Sequence, residues 1–294
     1  MLVLKIPEKV NDGFYDYARL FKLWQRLNRE TEAQEIELDF TDCVFFRQNG
    51  VAFVLGLARL AQSKGMQLSV KQPKKQEVWL NLEKNGFAAA LGLPHSSLSS
   101  TAVPVREDRS KNEPEFIEYL KNYWLRDERV RLSDALKGVI ISTVLEAYVN
   151  VFDHARSPIG AFTCGQFYPH LNEIVLTLVD FGIGIPATVR ARRGQPDLSA
   201  REAMSWVFQD GNTTQAGPRG NGLKILKEFV KLNQGSLDIY SEDCHGCIDK
   251  NGENFQTRRA NFTGTIVQIR LKSDQACYKL SDEPTADDAE EWFF

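Results

Sequence analysis

Residues 173–189 read EIVLTLVDFGIGIPATV, and this stretch decides the fold class. Ile174, Val175, Leu176, Leu178 and Val179 form a nearly continuous apolar run, as a buried strand requires. The run ends on Asp180, and Gly182, Gly184, Ile185 and Pro186 follow. A carboxylate at a strand end is placed to accept a hydrogen bond from a ligand amine. Two glycines let backbone approach where a side chain would clash. An ordinary strand-to-loop turn uses the same residues, so this stretch alone leaves both readings open.

The preceding segment, residues 132–155, reads LSDALKGVIISTVLEAYVNVFDHA. Its spacing predicts a helix with Ser133 as N-cap and Leu136, Ile140, Thr143, Ala147 and Val151 along one stripe. Glu146, Asn150 and His154 recur every four residues and share a face. A carboxylate and an amide one turn apart can hold hydrated Mg²⁺ and orient a water. A solvated face is the alternative. The following segment, GNTTQAGPRGNGLKILKEFVKLN (211–233), sets Gly217, Gly220 and Gly222 before a helix carrying Leu223, Ile225, Leu226, Phe229 and Val230. A glycine-rich turn feeding a helix N-terminus offers free N–H groups to a phosphate, and Arg219 adds charge beside it.

In this order the segments resemble the GHKL ATPase superfamily: EAYVNVFDHA its N box, DFGIGIP its G1 box, GPRGNGL its G2 box, and Gly264-Thr265 its late Gly-Thr. The likeness is greatest to anti-sigma-factor serine kinases and to the ATPase domain of histidine kinases. It implies a Bergerat-type α/β sandwich, a mixed sheet with helices on one face and an ATP lid, over residues 114–273. It also implies ATP and Mg²⁺ as cofactors. Asn150 would coordinate Mg²⁺ on the nucleotide phosphates, and Glu146 would activate the attacking water or hydroxyl. Asp180 would bind the adenine amino group with Thr265 near it, and Gly182, Gly184 and Ile185 would shape the adenine side. Gly220, Gly222 and Leu223 would meet the phosphates together with Arg219. Two readings stay open for Thr213 and Thr214 (phosphate contact or plain turn) and for His154 (nucleotide contact or structural hydrogen bond).

Residues 1–94 alternate strand and helix signals, β-α-β-α-β-α, which predicts a small sheet covered by helices. The run IELDFTDCVFFRQNGVAFVLGLARLAQSKGMQLSVKQP, with LEKNGFAAALGL after it, resembles a STAS domain, the fold of anti-sigma-factor antagonists. Antagonists of that family carry a phosphorylatable Ser before the helix-opening Gly. Here Asn49 precedes Gly50 and has no hydroxyl, so a helix cap is the expected role. The chain thus reads as a two-domain α/β protein with a Ser-rich linker at 95–113 and an acidic tail at 274–294.

The chain has 294 residues, 36 basic and 39 acidic, for a net charge of −3, which argues against a chain-wide nucleic-acid footprint. Residues 281–294 hold six of the acidic groups and no Lys or Arg, so the body is mildly basic. No run approaches the length of a membrane span, the N-terminus reads as a strand rather than a signal peptide, and five scattered cysteines point to a reducing cytoplasm. Cys244-His245-Gly246-Cys247 contains metal-type residues without a nearby second pair, so a polar hairpin loop is expected there. Residues 242–263 are expected to form a long polar insertion. His95 is the one His before the N box, which argues against an autophosphorylating histidine kinase.

Two functions follow from the resemblance. One is an anti-sigma-type serine/threonine kinase or slow ATPase in bacterial signalling, with a STAS-type or sigma-type protein partner and a homodimer as in relatives. The other is a non-catalytic module in which nucleotide orders the lid and so controls a protein partner.

Overall fold

The computed structural model describes residues 1–209, 221–274, 276–281 and 283. It is a mixed α/β structure with two principal sheets.

The first half runs β1 (Leu2–Lys5), β2 (Lys9–Val10), α1 (Phe14–Arg29), β3 (Glu35–Asp39), β4 (Phe45–Phe46), α2 (Gln48–Ser63), β5 (Gln67–Lys71), α3 (Gln76–Lys84) and α4 (Phe87–Ala90). Strands β1, β3 and β5 form a parallel sheet in that order, joined through α1 and α2. Helix α1 buries Tyr17, Leu20, Phe21, Trp24 and Leu27, which lie three and four residues apart on one side of the helix. Helix α2 is buried on every side from Gln48 to Ala58, because it lies between two sheets rather than on the surface of one.

The second half runs β6 (Ala102–Asp108), α5 (Glu113–Tyr119), β7 (Arg131–Leu132), α6 (Asp134–Asp153), β8 (Ala161–Tyr168), β9 (Glu173–Asp180), α7 (Gly184–Arg193), α8 (Ala200–Phe208), α9 (Asn221–Leu232), β10 (Ser236–Asp249), β11 (Gly252–Lys272) and β12 (Cys277–Tyr278). Five of the strands make one antiparallel sheet in the order β10-β11-β9-β8-β6. Alternation along these strands divides the interior into two cores. Ile174, Leu176, Leu178, Leu237, Ile239 and Ile269 face α6, α8 and α9. Phe162, Cys164, Val179, Tyr240, Phe262 and Ile266 join the core built by α1 and α2.

The two halves therefore share a core and are not beads on a tether. Polar ties reinforce it. Asp12 pairs with Arg47 at 2.8 Å and with Arg270 at 2.6 Å, and Arg270 pairs in turn with Glu173 at 2.6 Å. Tyr168 donates to Gln48 Oε1 at 2.6 Å.

Several expectations are corrected. The stretch 95–113, expected as linker, contains β6, an edge strand that pairs with β8. The stretch 242–263 is no insertion loop: β10 and β11 extend their ladder to Asp249 and Gly252, with irregular register near Ser241 and Glu242. Asn49 does not cap α2. Arg47 holds the N-cap position, and buried Asn49 donates from Nδ2 to the Asn11 carbonyl at 2.8 Å. Helix α6 is, by length and mean hydropathy, apolar enough to cross a membrane. In this fold its apolar side packs into the core, with Leu136, Ile140, Val144 and Tyr148 buried.

Ser133 caps α6 as its sequence predicts, its Oγ accepting from the Leu136 N–H at 3.2 Å. That hydroxyl donates to Glu283 Oε1 at 2.6 Å, and β12 pairs with β7 beside it, so Cys277, Tyr278 and Glu283 are held near the start of α6.

Candidate functional site

Helix α6 presents Glu146, Asn150 and His154 one turn apart, and all three line a single cleft between α6 and the five-stranded sheet. Asp180 and Thr265 enter it from the sheet, Gly184 and Ile185 from the first turn of α7, and Leu223 from α9. Leu178, Ile239, Val267 and Ile269 supply apolar walls. The sheet register explains part of the convergence, since Thr265 of β11 stands directly opposite Asp180 of β9.

Asp180 is 4% exposed. Burial pushes its carboxyl up to about 6, against the pull of hydrogen bonds from the Gly182 N–H and from Thr265. The Gly182 N–H lies 2.8 Å from Asp180 Oδ1. Gly182 does not line the cleft. A Cβ there would lie 2.0 Å from the Ala155 carbonyl oxygen, so this glycine serves the close packing of the turn against the end of α6. Gly184 has φ +81°, and its Cβ would meet the Thr263 carbonyl oxygen at 2.2 Å.

Asn150 Oδ1 is buried with no hydrogen-bond partner among the described residues. A buried, unsatisfied amide oxygen is costly, so it marks a place where a donor or a cation is to be expected. His154 ends α6, its N–H bonded to the Asn150 carbonyl at 3.0 Å. Gly222 sits where a Cβ would meet Thr143 Oγ1 at 2.7 Å, which lets the start of α9 close on α6. Thr213, Thr214, Arg219 and Gly220 lie outside the described residues.

Sequence reasoning missed three residues. Ser241 is fully buried, accepts from the Ile185 N–H at 3.1 Å and donates to the Gly264 carbonyl at 3.0 Å. It ties the glycine turn to β11, and a lone Ser ending the run LDIYS was its only trace in the chain. Lys224 and Lys227 line the cleft from α9. Lys227 donates to the Phe208 carbonyl at 2.8 Å and pairs with Glu253 at 2.8 Å. As ordinary helix lysines they carried no signal.

The Cys244–Cys247 segment lies within β10. His245 Nε2 sits 2.9 Å from Asp238 Oδ1, and the ring stacks on Tyr240 with centroids 4.3 Å apart. Among the described residues no group of three or more His, Cys, Asp or Glu is gathered to hold a metal.

The arrangement offers the Asp180 carboxylate as acceptor to an amine-bearing ring. It also presents oxygen ligands, from Glu146 and Asn150, suited to a hard cation or a phosphate-bound cation. No protein-family model matches the chain, and no curated protein matches it.

Proposed function

We propose that this chain is a GHKL-type ATP-binding regulator: a Bergerat-type sandwich fused to a STAS-like unit, acting as an anti-sigma-type serine/threonine kinase or slow ATPase on a cytoplasmic protein partner. The observation that carries the reading is the meeting of Glu146, Asn150, Asp180 and Thr265 in one cleft, with Asn150 Oδ1 left unpartnered. Three separate sequence motifs supply those four residues; strand register pairs Thr265 with Asp180, and helix α6 brings Glu146 and Asn150 to the same cleft.

In this reading the ionised Asp180 accepts from the adenine amino group, and the neighbouring Thr265 braces it. Asn150 and the first turn of α9 face the phosphates. The residues fit Mg²⁺, since the donor set is hard oxygen and includes one buried amide oxygen with no other partner. When bound, Mg²⁺ supplies charge neutralisation on the phosphates. Glu146 takes the proton of an acceptor hydroxyl or water as that oxygen attacks the γ-phosphorus. The bond from phosphorus to the β–γ bridging oxygen breaks, and ADP leaves.

A second reading, nucleotide-controlled binding without phosphotransfer, is favoured by Asn49. It stands where a STAS antagonist carries its phosphorylatable Ser, and it is wholly buried, so the fused unit offers no acceptor at that position.

Calorimetric titration with ATP, with and without Mg²⁺, on wild type and Asn150→Ala tests both readings. Saturable binding by wild type and its loss in the variant are expected; no binding by wild type sinks both. ADP release or phosphotransfer to a STAS-type protein, abolished in Glu146→Ala, then separates kinase or ATPase from binding module.

A further inference from the structure

Gly56 stands in the middle of α2, where glycine is a poor choice for a helix. Its environment explains the choice. A Cβ on Gly56 would lie 2.1 Å from Phe181 Cε2 and 2.6 Å from Cζ. Phe181 follows Asp180 directly, and the two side chains leave the chain on opposite sides of the sheet. Asp180 lines the cleft, while the Phe181 ring enters the core shared with α1 and α2. That ring is held by Phe53 of α2 at 5.3 Å between centroids, by Phe262 at 5.4 Å edge-on, and by Phe162 at 6.0 Å edge-on.

We infer that Gly56 is a positioning residue for the cleft: the first half of the chain sets the place of the Asp180 carboxylate by seating the Phe181 ring in the notch that Gly56 leaves in α2. The inference rests on the nucleotide reading above. Three features support it. The contact is between a ring and a helix backbone, and close-packed interiors transmit such displacements rather than absorb them. Only one peptide unit separates the seated ring from the carboxylate. And Gly182, next in the chain, has its own close contact with the Ala155 carbonyl, so the Asp180 backbone has little room to compensate. The STAS-like unit thus becomes part of the scaffold of the binding cleft, and whatever shifts α2 against the sheet shifts the ligand carboxylate with it.

The test is a double-mutant cycle on the full chain, using Gly56→Ala, Phe181→Leu and the pair, with MgATP and MgGTP titrated into each. Adenine presents an amino group where guanine presents an oxygen, so a carboxylate in place favours ATP. Gly56→Ala is expected to weaken ATP binding about tenfold, a coupling of ordinary size for touching residues, and to erode the preference over GTP. Adding Phe181→Leu, which removes the ring edge, is expected to restore ATP affinity to within about threefold of wild type. If wild type binds ATP and Gly56→Ala binds it equally well, the inference is overturned. It is equally overturned if Gly56→Ala lowers both nucleotides alike or if the second substitution restores nothing. Should Gly56→Ala fail to fold, Phe181→Leu alone decides: a reduced ATP-over-GTP preference supports the inference, and an unchanged one overturns it. Failure of wild type to bind ATP at all removes the nucleotide reading instead.

Discussion

Tyr17 donates its hydroxyl to Gln268 Oε1 at 2.7 Å, with both side chains buried and 251 positions apart in the chain. One lies on the first helix and the other on the last long strand, so this bond closes the molecule end to end. It also shows how the reverse face of the five-stranded sheet is satisfied: a polar side chain in mid-strand meets a phenol from α1 rather than water.

Tyr17→Phe removes that donor and keeps the ring. Gln268 is then left with a buried, unpartnered oxygen, which costs about 1–3 kcal/mol. Urea unfolding is expected to show that loss in a single transition reported alike by probes in both halves, because the halves share one core.

Asn150→Ala separates stability from ligand response. Asn150 Oδ1 makes no hydrogen bond that the substitution could break. The ligand-free variant is expected to melt within a few degrees of wild type. The rise in Tm that a saturating ligand confers, worth about 2.7 kcal/mol at a hundred times Kd, should vanish. A thermal-shift series with MgATP reads both effects.

Asp180 gives a pH signature. Burial raises its carboxyl to about 6 in the folded protein, whereas an unfolded Asp ionises near about 3.9. Between those values the folded state holds the extra proton, so stability falls as pH rises through that window and is flat beyond it. The loss amounts to roughly 3 kcal/mol by linkage. Unfolding curves at pH 4 and pH 7 should show most of this loss, about 2 kcal/mol, in wild type relative to Asp180→Asn, which lacks the titrating group. If the nucleotide reading holds, ATP affinity is expected to run the other way, rising with pH through about 6 as Asp180 ionises.

Gly184→Ala tests the turn that shapes the cleft. With φ at +81° and the Thr263 carbonyl 2.2 Å from the new Cβ, backbone strain alone costs about 1–3 kcal/mol, and the clash adds to it. Lower stability with weakened ATP binding is expected. Gly194→Ala, with positive φ and open space around it, should cost stability and leave ATP binding unchanged.

Local pattern explains which elements were legible. The 3.6-residue repeat of Leu136, Ile140, Thr143 and Val151 marks α6, and Ser133 marks its start, because capping and amphipathicity act within a few residues. The Glu146, Asn150 and His154 row was visible for the same reason. Strand β6 was hidden in a Ser-rich stretch, since an edge strand needs one partner and few apolar residues. The β10–β11 extension was hidden because polar residues can pair in a ladder as well as they can form a loop.

By itself the sequence determined the main alternation of helices and strands in residues 1–94, the course of α6 and the face of it that carries polar groups, and the close backbone approach at Gly182 and Gly184. These follow from period, propensity and turn chemistry, all short-range. Only the tertiary structure decided that α1 and α2 cover the reverse face of the sheet, that Gly56 exists to receive Phe181, and that Asn49 is sealed inside rather than offered to a partner. Those outcomes depend on which apolar surface meets which. Burial is non-directional and carries no mark of its partner along the chain.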